Sequence, residues 1–249
     1  MNSMLRKMVL IGGGRFSETV PFLREIVSLC DRSDPLVLLI PTAGYDSQQT
    51  ISIWADLFDG LGAEVESLLL LKDPPSPRQI EETIGKCNAV YVPGGDTRHM
   101  MKVWRKLGVD KALRRAFRDG TVLSGRSAGA GCWFRRCLSA DASGNTRTKV
   151  IEYRRVSGIG LVDATLCTHY SNRREAFEYC LRQTGGVGLG LDDGVAVSIL
   201  GREARVISLN AECGAYTSII RDGFLHEERL AEGCIHQIES ILENQAEGT

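Results

Sequence analysis

Short apolar runs alternate with amphipathic stretches through the first half of the chain, and this alternation limits the fold more than any other feature of the sequence. The runs "MVLIGGG", "LVLLIPTA", "EVESLLLL", "AVYVPGG" and "TVLSG" are separated by helical patterns near residues 19–31, 47–61, 77–86 and 97–119. Runs rich in Val, Ile and Leu are typical of strands in a parallel sheet that helices cover on both faces. Strand followed by helix, repeated four times, therefore predicts an α/β fold with a doubly wound, mostly parallel sheet.

The pattern changes beyond residue 136. The polar segment "CLSADASGNTRTK" predicts a loop, and a strand that ends near His169 is followed by a helix that starts near Asn172. The later runs "VGLGLDDGVAVSIL", "EARVISL" and "GAYTSIIRDGF" alternate with turn residues, which predicts an antiparallel C-terminal extension. We expect a last helix from about Glu227 to Asn244 and a single domain over residues 1–249.

Charge and cysteine usage exclude several classes of protein. The 30 basic and 31 acidic side chains nearly balance and form no long basic block, so we expect no nucleic acid partner. The N-terminal apolar run is too short for a secretory signal core, so we expect a cytoplasmic protein with no membrane partner.

The eight cysteines are dispersed without a C-x-x-C pair, which favours reduced thiols. None of the four histidines has the spacing of a metal site, so we predict no metal.

The segment "TVLSGRSAGAGCWF" contains the most specific single motif. Residues 125–129, Gly-Arg-Ser-Ala-Gly, match G-x-S-x-G, which places a serine on a sharp turn between a strand and a helix. The helix N-terminus that follows favours negative charge near the serine oxygen. Ser127 is therefore the predicted nucleophile, and a structural elbow or a phosphate-binding turn is the alternative.

A serine nucleophile needs a base within hydrogen-bond reach. Of the four histidines, His169 alone ends a predicted strand, where side chains of the functional edge are expected. His99 lies on a predicted helix, and His226 and His236 fall in or beside the predicted terminal helix. We therefore predict that His169 is the base.

A carboxylate should orient the imidazole of that base. The segment "GLGLDDGVAV" offers two adjacent carboxylates, Asp192 and Asp193, at the end of a predicted strand. Asp-Asp-Gly is also an ordinary turn sequence. Both residues stay candidates for the third member of a triad.

The loop "VPGGDT" follows another predicted strand and can supply the oxyanion hole. One backbone N–H would come from Gly94 or Gly95, and Ala128 would supply the second from the helix start. We also expect the adjacent Asp96 and Thr97 to contact substrate. The alternative is a simple tight turn.

The first glycine-rich loop, "IGGGRFSE", is a poor dinucleotide fingerprint. Ser17 replaces the third glycine of G-x-G-x-x-G, and no clear acidic partner follows at the end of the next strand. We expect no cofactor and place this loop beside the site.

Taken together and in this order, "YVPGGDT", "SGRSAGA", "LCTHYSNR" and "GLGLDDGVAV" resemble the serine peptidase family that contains dipeptidase E (aspartyl dipeptidase) and cyanophycinase. The resemblance spans roughly residues 8–200. It implies a fold like that of the class I glutamine amidotransferases, with serine replacing cysteine at the elbow. It also implies a hydrolytic enzyme that needs no cofactor.

Residue by residue, the resemblance implies Ser127 as nucleophile, His169 as general base, and Gly95 with Ala128 as oxyanion donors. The acidic member falls at Asp193, where the family more often has Glu. Asp192 stays open as the alternative.

The resemblance implies a small peptide substrate that contains aspartate. Dipeptidase E cleaves after an N-terminal Asp, and cyanophycinase cuts a β-linked Asp-Arg polymer. Arg173 matches an arginine of cyanophycinase-like sequences, and a guanidinium can bind a carboxylate through paired hydrogen bonds. Glu178 stands where a basic residue is expected, which argues against cyanophycin itself. The alternative is that Arg173 and Arg174 are solvated residues of a helix start.

Two other functions and one assembly stay open. An α/β-hydrolase-type esterase would use the order Ser127, Asp193 and then His226 or His236. A non-catalytic small-molecule binding protein could use the same scaffold. Amide transfer from glutamine is disfavoured because Cys132 lies five residues beyond the elbow serine. A homodimer is compatible with the sequence.

Overall fold

The computed structural model describes residues 6–140 and 153–237, and its strands form two sheets. The first sheet contains β1 (Lys7–Ile11), β2 (Leu36–Leu39), β3 (Glu64–Ser67), β4 (Ala89–Val92), β5 (Val122–Arg126), β10 (Val195–Leu200), β11 (Glu203–Ser208) and β14 (Ile235–Gln237). The strand order is β14-β11-β10-β1-β5-β4-β2-β3. The strands β1 to β5 are parallel, and β10, β11 and β14 extend this sheet antiparallel.

Helices cover both faces of the first sheet. They are α1 (Val20–Ser28), α2 (Gln48–Asp59), α3 (Pro77–Lys86), α4 (Thr97–Leu107) and α5 (Val109–Arg118). Alternate residues of β1 face opposite sides, as the strand period of two requires. Leu10 packs in the core that contains Trp104 of α4, and Val9 packs in the core with Trp54 of α2. This arrangement confirms the predicted doubly wound α/β fold.

The pattern over residues 97–119 forms two helices rather than one. Gly108 has a left-handed backbone (φ 77°) that ends α4 and begins α5. Glycine adopts this conformation without a steric penalty, so the chain can turn while both helices keep their apolar faces on the sheet. In the described part of the chain, no helix combines the length and the apolar character that a membrane span requires.

The second sheet is not purely antiparallel. It contains β6 (Phe134–Ala140), β7 (Tyr153–Val156), β8 (Val162–Thr168), β9 (Val187–Leu191), β12 (Ala215–Arg221) and β13 (Phe224–Arg229), in the order β13-β12-β9-β8-β6-β7. The pairs β6–β8 and β8–β9 are parallel, and the other pairs are antiparallel. The predicted loop over "CLSADASGNTRTK" begins within β6, and its residues 141–149 lie outside the described residues.

The predicted terminal helix is wrong over its described part. Residues 224–229 and 235–237 form strands β13 and β14, and residues 238–244 lie outside the described residues. The cause is the turn at Asp222 and Gly223, which both have positive φ and join β12 to β13 as a hairpin. Asp-Gly is a strong signal for such a turn. The residues that follow it pair with β12 instead of forming a helix.

The two sheets bring five strand ends together. In the first sheet, Ile11 lies opposite Arg126 and Val92 opposite Gly125, so β1, β4 and β5 end at one edge. The short helix α6 (Ala128–Gly131) leads from β5 into the second sheet. There Thr168 lies opposite Leu191, so β8 and β9 also end side by side. Helix α7 (Arg174–Thr184) follows β8.

Candidate active site

Ser127 occupies a strained turn between β5 and α6. Its backbone angles, φ 54° and ψ −114°, lie in a region that residues with a Cβ rarely adopt. Its N–H donates to the Ile11 carbonyl at 2.9 Å, and its own carbonyl accepts from the N–H groups of Ala130 and Gly131, each at 3.0 Å. These three hydrogen bonds keep the serine at the edge where the strands end.

The two glycines of the G-x-S-x-G motif are required by packing. A Cβ on Gly129 would overlap the Val92 carbonyl, and a Cβ on Gly125 would overlap the backbone of Gly129. Helix α6 therefore lies directly against the ends of β4 and β5. Any larger residue at these positions would push the turn, and Ser127 with it, away from the sheet.

His169 follows β8 and reaches the serine from the second sheet. Its Nε2 lies 2.8 Å from Ser127 Oγ. Its backbone is left-handed (φ 53°), and the adjacent Tyr170 is buried. The structure thus brings together the residues predicted as nucleophile and base.

The two candidate carboxylates at the end of β9 have different partners. Asp193 Oδ1 lies 2.5 Å from His169 Nδ1. Asp192 is buried and accepts from the Ser171 N–H (2.8 Å), the Ser171 hydroxyl (2.6 Å) and the Gly214 N–H (2.9 Å). Asp193 therefore contacts the imidazole, and Asp192 fastens the turn that carries His169.

The environment of Asp193 favours its ionised form. The hydrogen bond from His169 lowers its pKa below 3.8, and the positive charges of Arg126 and Arg173 act in the same direction against partial burial. An ionised carboxylate can only accept, so His169 Nδ1 must carry the proton in this pair. The neutral imidazole then has its lone pair on Nε2, facing the Ser127 hydroxyl.

A small cavity of about 50 Å³ opens beside Ser127. Gly95, Thr97, Ala128 and Arg173 line it together with the serine. The remaining lining residues come from α6 and the second sheet: Gly131, Cys137, Leu138, Ser139, Ala140 and Thr168. Ala128 is the first residue of α6, and the first N–H groups of a helix lack a partner within the helix. Its N–H is thus available to a ligand.

Asp96 has a different environment from its neighbours in the same loop. Its side chain caps α4 by accepting from the His99 N–H at 2.9 Å, and it also accepts from the Tyr45 hydroxyl at 3.2 Å. Asp96 is not part of the cavity lining, whereas Thr97 is. The carboxylate of Asp96 supports the loop, and Gly95 and Thr97 face the cavity.

Arg173 stands at the mouth of the cavity, immediately before α7. Its Nη1 donates to the Leu138 carbonyl at 3.4 Å, and its guanidinium lies 5.3 Å from the centre of the Tyr153 ring. Neither contact is with a carboxylate. The neighbouring Arg174 instead forms an ion pair with Glu227 of β13 at 3.2 Å.

The other histidines have partners away from the serine. The His99 ring stacks on Tyr45 with ring centres 4.6 Å apart. His226 lies on β13 opposite Ile219, and His236 Nε2 lies 2.9 Å from the Ala231 carbonyl. These positions do not support the esterase order with His226 or His236.

Cys132 cannot replace the serine as a nucleophile. It is fully buried, its thiol donates to the Gly129 carbonyl at 3.0 Å, and burial raises its pKa well above 9.0. A thiol needs a lowered pKa to react as thiolate. All eight cysteines are free thiols.

Two residues of the site were missed by the sequence-based predictions. Arg126, the first variable residue of the G-x-S-x-G motif, donates to the Gly14 carbonyl. Gly13 lies so close to the His169 and Asp193 side chains that it has no room for a Cβ. The glycine-rich loop after β1 was expected beside the site, but its particular contacts with Arg126, His169 and Asp193 could not be predicted from the sequence.

The comparisons with known proteins identify a peptidase family. Residues 8–207 match peptidase family S51. The chain is 29% identical to peptidase YgaJ of Bacillus subtilis over 203 residues, which cover 79% of this chain and 84% of the relative. It is 21% identical over 178 residues to a cyanophycinase of Nostoc sp., which covers 69% of this chain and 59% of that protein.

A solved structure shows the same fold. The crystal structure of a peptidase from an acI-B1 Actinobacterium superposes with a TM-score of 0.71 at 20% identity, covering 95% of this chain and 98% of the other. Fold and family together define the class of this protein as a serine peptidase. The chain belongs to peptidase family S51. The alternative of a non-catalytic binding protein is therefore wrong.

Proposed function

We propose that this peptidase hydrolyses small peptides that contain aspartate, with Ser127 as nucleophile, His169 as base and Asp193 as the orienting carboxylate. One observation carries the proposal. A continuous path of contacts runs from Ser127 Oγ to His169 Nε2 (2.8 Å) and from His169 Nδ1 to Asp193 Oδ1 (2.5 Å), beside a cavity that Arg173 lines.

The first half of the reaction forms an acyl-enzyme. Ser127 Oγ bonds to the carbonyl carbon of the scissile peptide while its proton moves to His169 Nε2. The N–H groups of Gly95 and Ala128 donate to the oxyanion that develops. The C–N bond then breaks, and His169 returns the proton to the departing amine.

The second half releases the acid. His169 takes a proton from water, whose oxygen bonds to the acyl carbon, and the proton then goes to Ser127 Oγ as the ester bond breaks. Asp193 remains ionised throughout and stabilises the imidazolium that forms in each half. The lowered pKa of Asp193 supports this role.

Arg173 supports the choice of an acidic substrate. It lines the same small cavity as Ser127, and its guanidinium has no carboxylate partner among the hydrogen bonds and ion pairs of residues 6–140 and 153–237. A substrate carboxylate in this cavity would provide that partner through charge-assisted hydrogen bonds. The small volume favours a short acidic side chain over a bulky one.

Parallel assays of Asp-X and Asn-X dipeptides test the proposal. Arg173→Met keeps much of the side-chain volume and removes the charge, and a charge-assisted contact contributes about 1.5–3 kcal/mol, so kcat/KM for Asp-X should fall roughly 10- to 150-fold. Hydrolysis of Asn-X should change far less. Arg174→Met is the matched control, since Arg174 pairs with Glu227, and it should not alter this preference. Equal losses on both substrates in Arg173→Met would refute recognition of aspartate by Arg173.

A further inference from the structure

The glycine loop that follows β1, residues 12–16, forms one wall of the His169–Asp193 pair. A Cβ on Gly13 would overlap Asp193 Oδ1 and would lie 2.5 Å from His169 Cε1 and 2.6 Å from His169 Nδ1. The loop backbone thus packs directly on the hydrogen bond between the two side chains. A displacement of this loop would release the pair.

The same loop is tied to the turn that carries Asp193. The Gly12 N–H donates to the Val195 carbonyl at 2.9 Å, and the Gly13 carbonyl accepts from the Gly194 N–H at 3.3 Å. These two bonds fix the beginning of the loop. They leave its outer part, from Gly14 to Phe16, to be held by other contacts.

Arg126 contacts that outer part from the neighbouring strand. It is the last residue of β5 and immediately precedes Ser127. Its Nη2 donates to the Gly14 carbonyl, and its guanidinium lies 5.4 Å from the centre of the Phe16 ring. One planar side chain therefore binds the loop through a hydrogen bond and a cation–π contact. A lysine has one ammonium group in place of the planar guanidinium, so it cannot make both contacts with the same geometry.

The charge of Arg126 also acts on the pair. The hydrogen bond and the charge of His169 favour ionised Asp193 most, and the positive charges of Arg126 and Arg173 add to this effect. The neighbouring Asp192 is the other ionisable group on the same turn, and it points toward Ser171. Removing the positive charge of Arg126 therefore makes protonation of Asp193 easier at a given pH.

We infer that Arg126 is a positioning residue, which fixes the glycine loop against His169 and Asp193 and so aligns the imidazole with Ser127. This inference rests on the proposed function for its kinetic consequences. It assigns to Arg126 no contact with substrate.

The test compares wild type, Arg126→Met and Arg126→Lys on one Asp-X dipeptide. A misplacement of about 1 Å in a catalytic group can cost about 10²-fold, so kcat of Arg126→Met should fall by about that factor with little change in KM. The acidic limb of its kcat–pH profile should move to higher pH. Arg126→Lys keeps the charge and should restore the position of the acidic limb, but only part of kcat.

Arg105→Met is the control, because Arg105 also donates to backbone carbonyls, at Ser157 and Gly158, but from α4. It should leave kcat and the pH profile unchanged. Circular dichroism establishes that each variant is folded. If Arg126→Met does not fold, Gly13→Ala and Arg126→Lys are measured instead. A kcat equal to that of wild type in both variants overturns the inference.

Proton NMR of the His169 Nδ1–H separates this inference from the proposed function, since it needs no substrate. The resonance should shift or broaden in Arg126→Met and stay in place in Arg105→Met. An unchanged resonance in Arg126→Met overturns the positioning role, whether or not the wild type hydrolyses the dipeptide. A raised KM with unchanged kcat would also overturn it and would assign Arg126 to substrate binding.

Discussion

The imidazole of His169 and the carboxylate of Asp193 meet at 2.5 Å, although the two residues follow different strands of the second sheet. Because β8 and β9 are parallel neighbours, their ends coincide and a side chain from each can converge above Ser127. The adjacent Asp192 faces the opposite way, into the turn at Ser171. Two consecutive carboxylates thus have separate tasks.

Asparagine variants of the two carboxylates should separate these tasks. Asp193→Asn removes the charge that orients His169 and should lower kcat by up to about 10⁴-fold, with a smaller loss of stability than Asp192→Asn. Asp192→Asn weakens buried hydrogen bonds and should lower the free energy of unfolding by about 1–3 kcal/mol, with a much smaller loss of kcat. Chemical denaturation and steady-state kinetics measure both effects. If Asp192→Asn loses more kcat than Asp193→Asn, the assignment of the two residues is reversed.

Alanine replacements of three histidines test the choice of base. His169→Ala removes the group that contacts Ser127 Oγ, and kcat should fall by at least about 10³-fold. His226→Ala and His236→Ala change exposed or half-exposed strand residues of the C-terminal region, and their kcat should stay near that of wild type. The three proteins are assayed side by side on one substrate. Loss of activity only in His226→Ala or His236→Ala would contradict the proposed order of the triad.

The lowered pKa of Asp193 makes its contribution to stability depend on pH. A carboxyl group whose pKa is lower in the folded state stabilises that state above the unfolded value, here about 3.8, and this stabilisation is lost as the pH falls through the lowered value. The stability advantage of wild type over Asp193→Asn should therefore be constant above pH 3.8 and decrease below it. Thermal unfolding at a series of pH values measures this difference. A decrease that begins well above pH 3.8 would show a raised pKa instead.

Burial of most thiols predicts which cysteines react in the native protein. Cys234 is exposed and Cys213 partly exposed, whereas the other six, Cys132 among them, are buried. Alkylation followed by peptide mass spectrometry should therefore label Cys234 first and leave Cys132 unmodified until the protein unfolds. Rapid labelling of Cys132, with loss of activity, would reopen the question of a cysteine nucleophile.

The parallel part of the first sheet was predictable from local sequence because β1, β2, β4 and β5 are almost fully buried and alternate with helices. The arrangement of the second sheet could not be predicted, because the alternation of side chains along a strand does not show which other strand it pairs with. Strand β6 shows the difficulty: its last four residues, 137–140, run directly into a polar segment, so the sequence there resembles the start of a loop. The wrong terminal helix arose because Glu227, Glu228 and Arg229 favour a helix by intrinsic propensity, and the pairing of β13 with β12 overrides that preference.

Ser127 and His169 could be selected from the sequence, because Ser127 lies within the G-x-S-x-G motif and His169 ends a predicted strand. The choice between Asp192 and Asp193 depended on which side of the strand end each faces, and only the fold fixes that direction. The contact of Arg126 with Gly14 joins residues 112 positions apart. No local pattern indicates such a contact, so its part in the site could not be predicted.

The rate of Asp-X dipeptide hydrolysis by Ser127→Ala tests the central claim most directly. Alanine keeps the fold of the turn and removes the Oγ that lies 2.8 Å from His169. We expect folded Ser127→Ala to lose at least about 10³-fold in kcat relative to wild type measured in the same assay. Hydrolysis by Ser127→Ala at the wild-type rate would contradict the assignment of Ser127 as nucleophile, and with it the proposed mechanism.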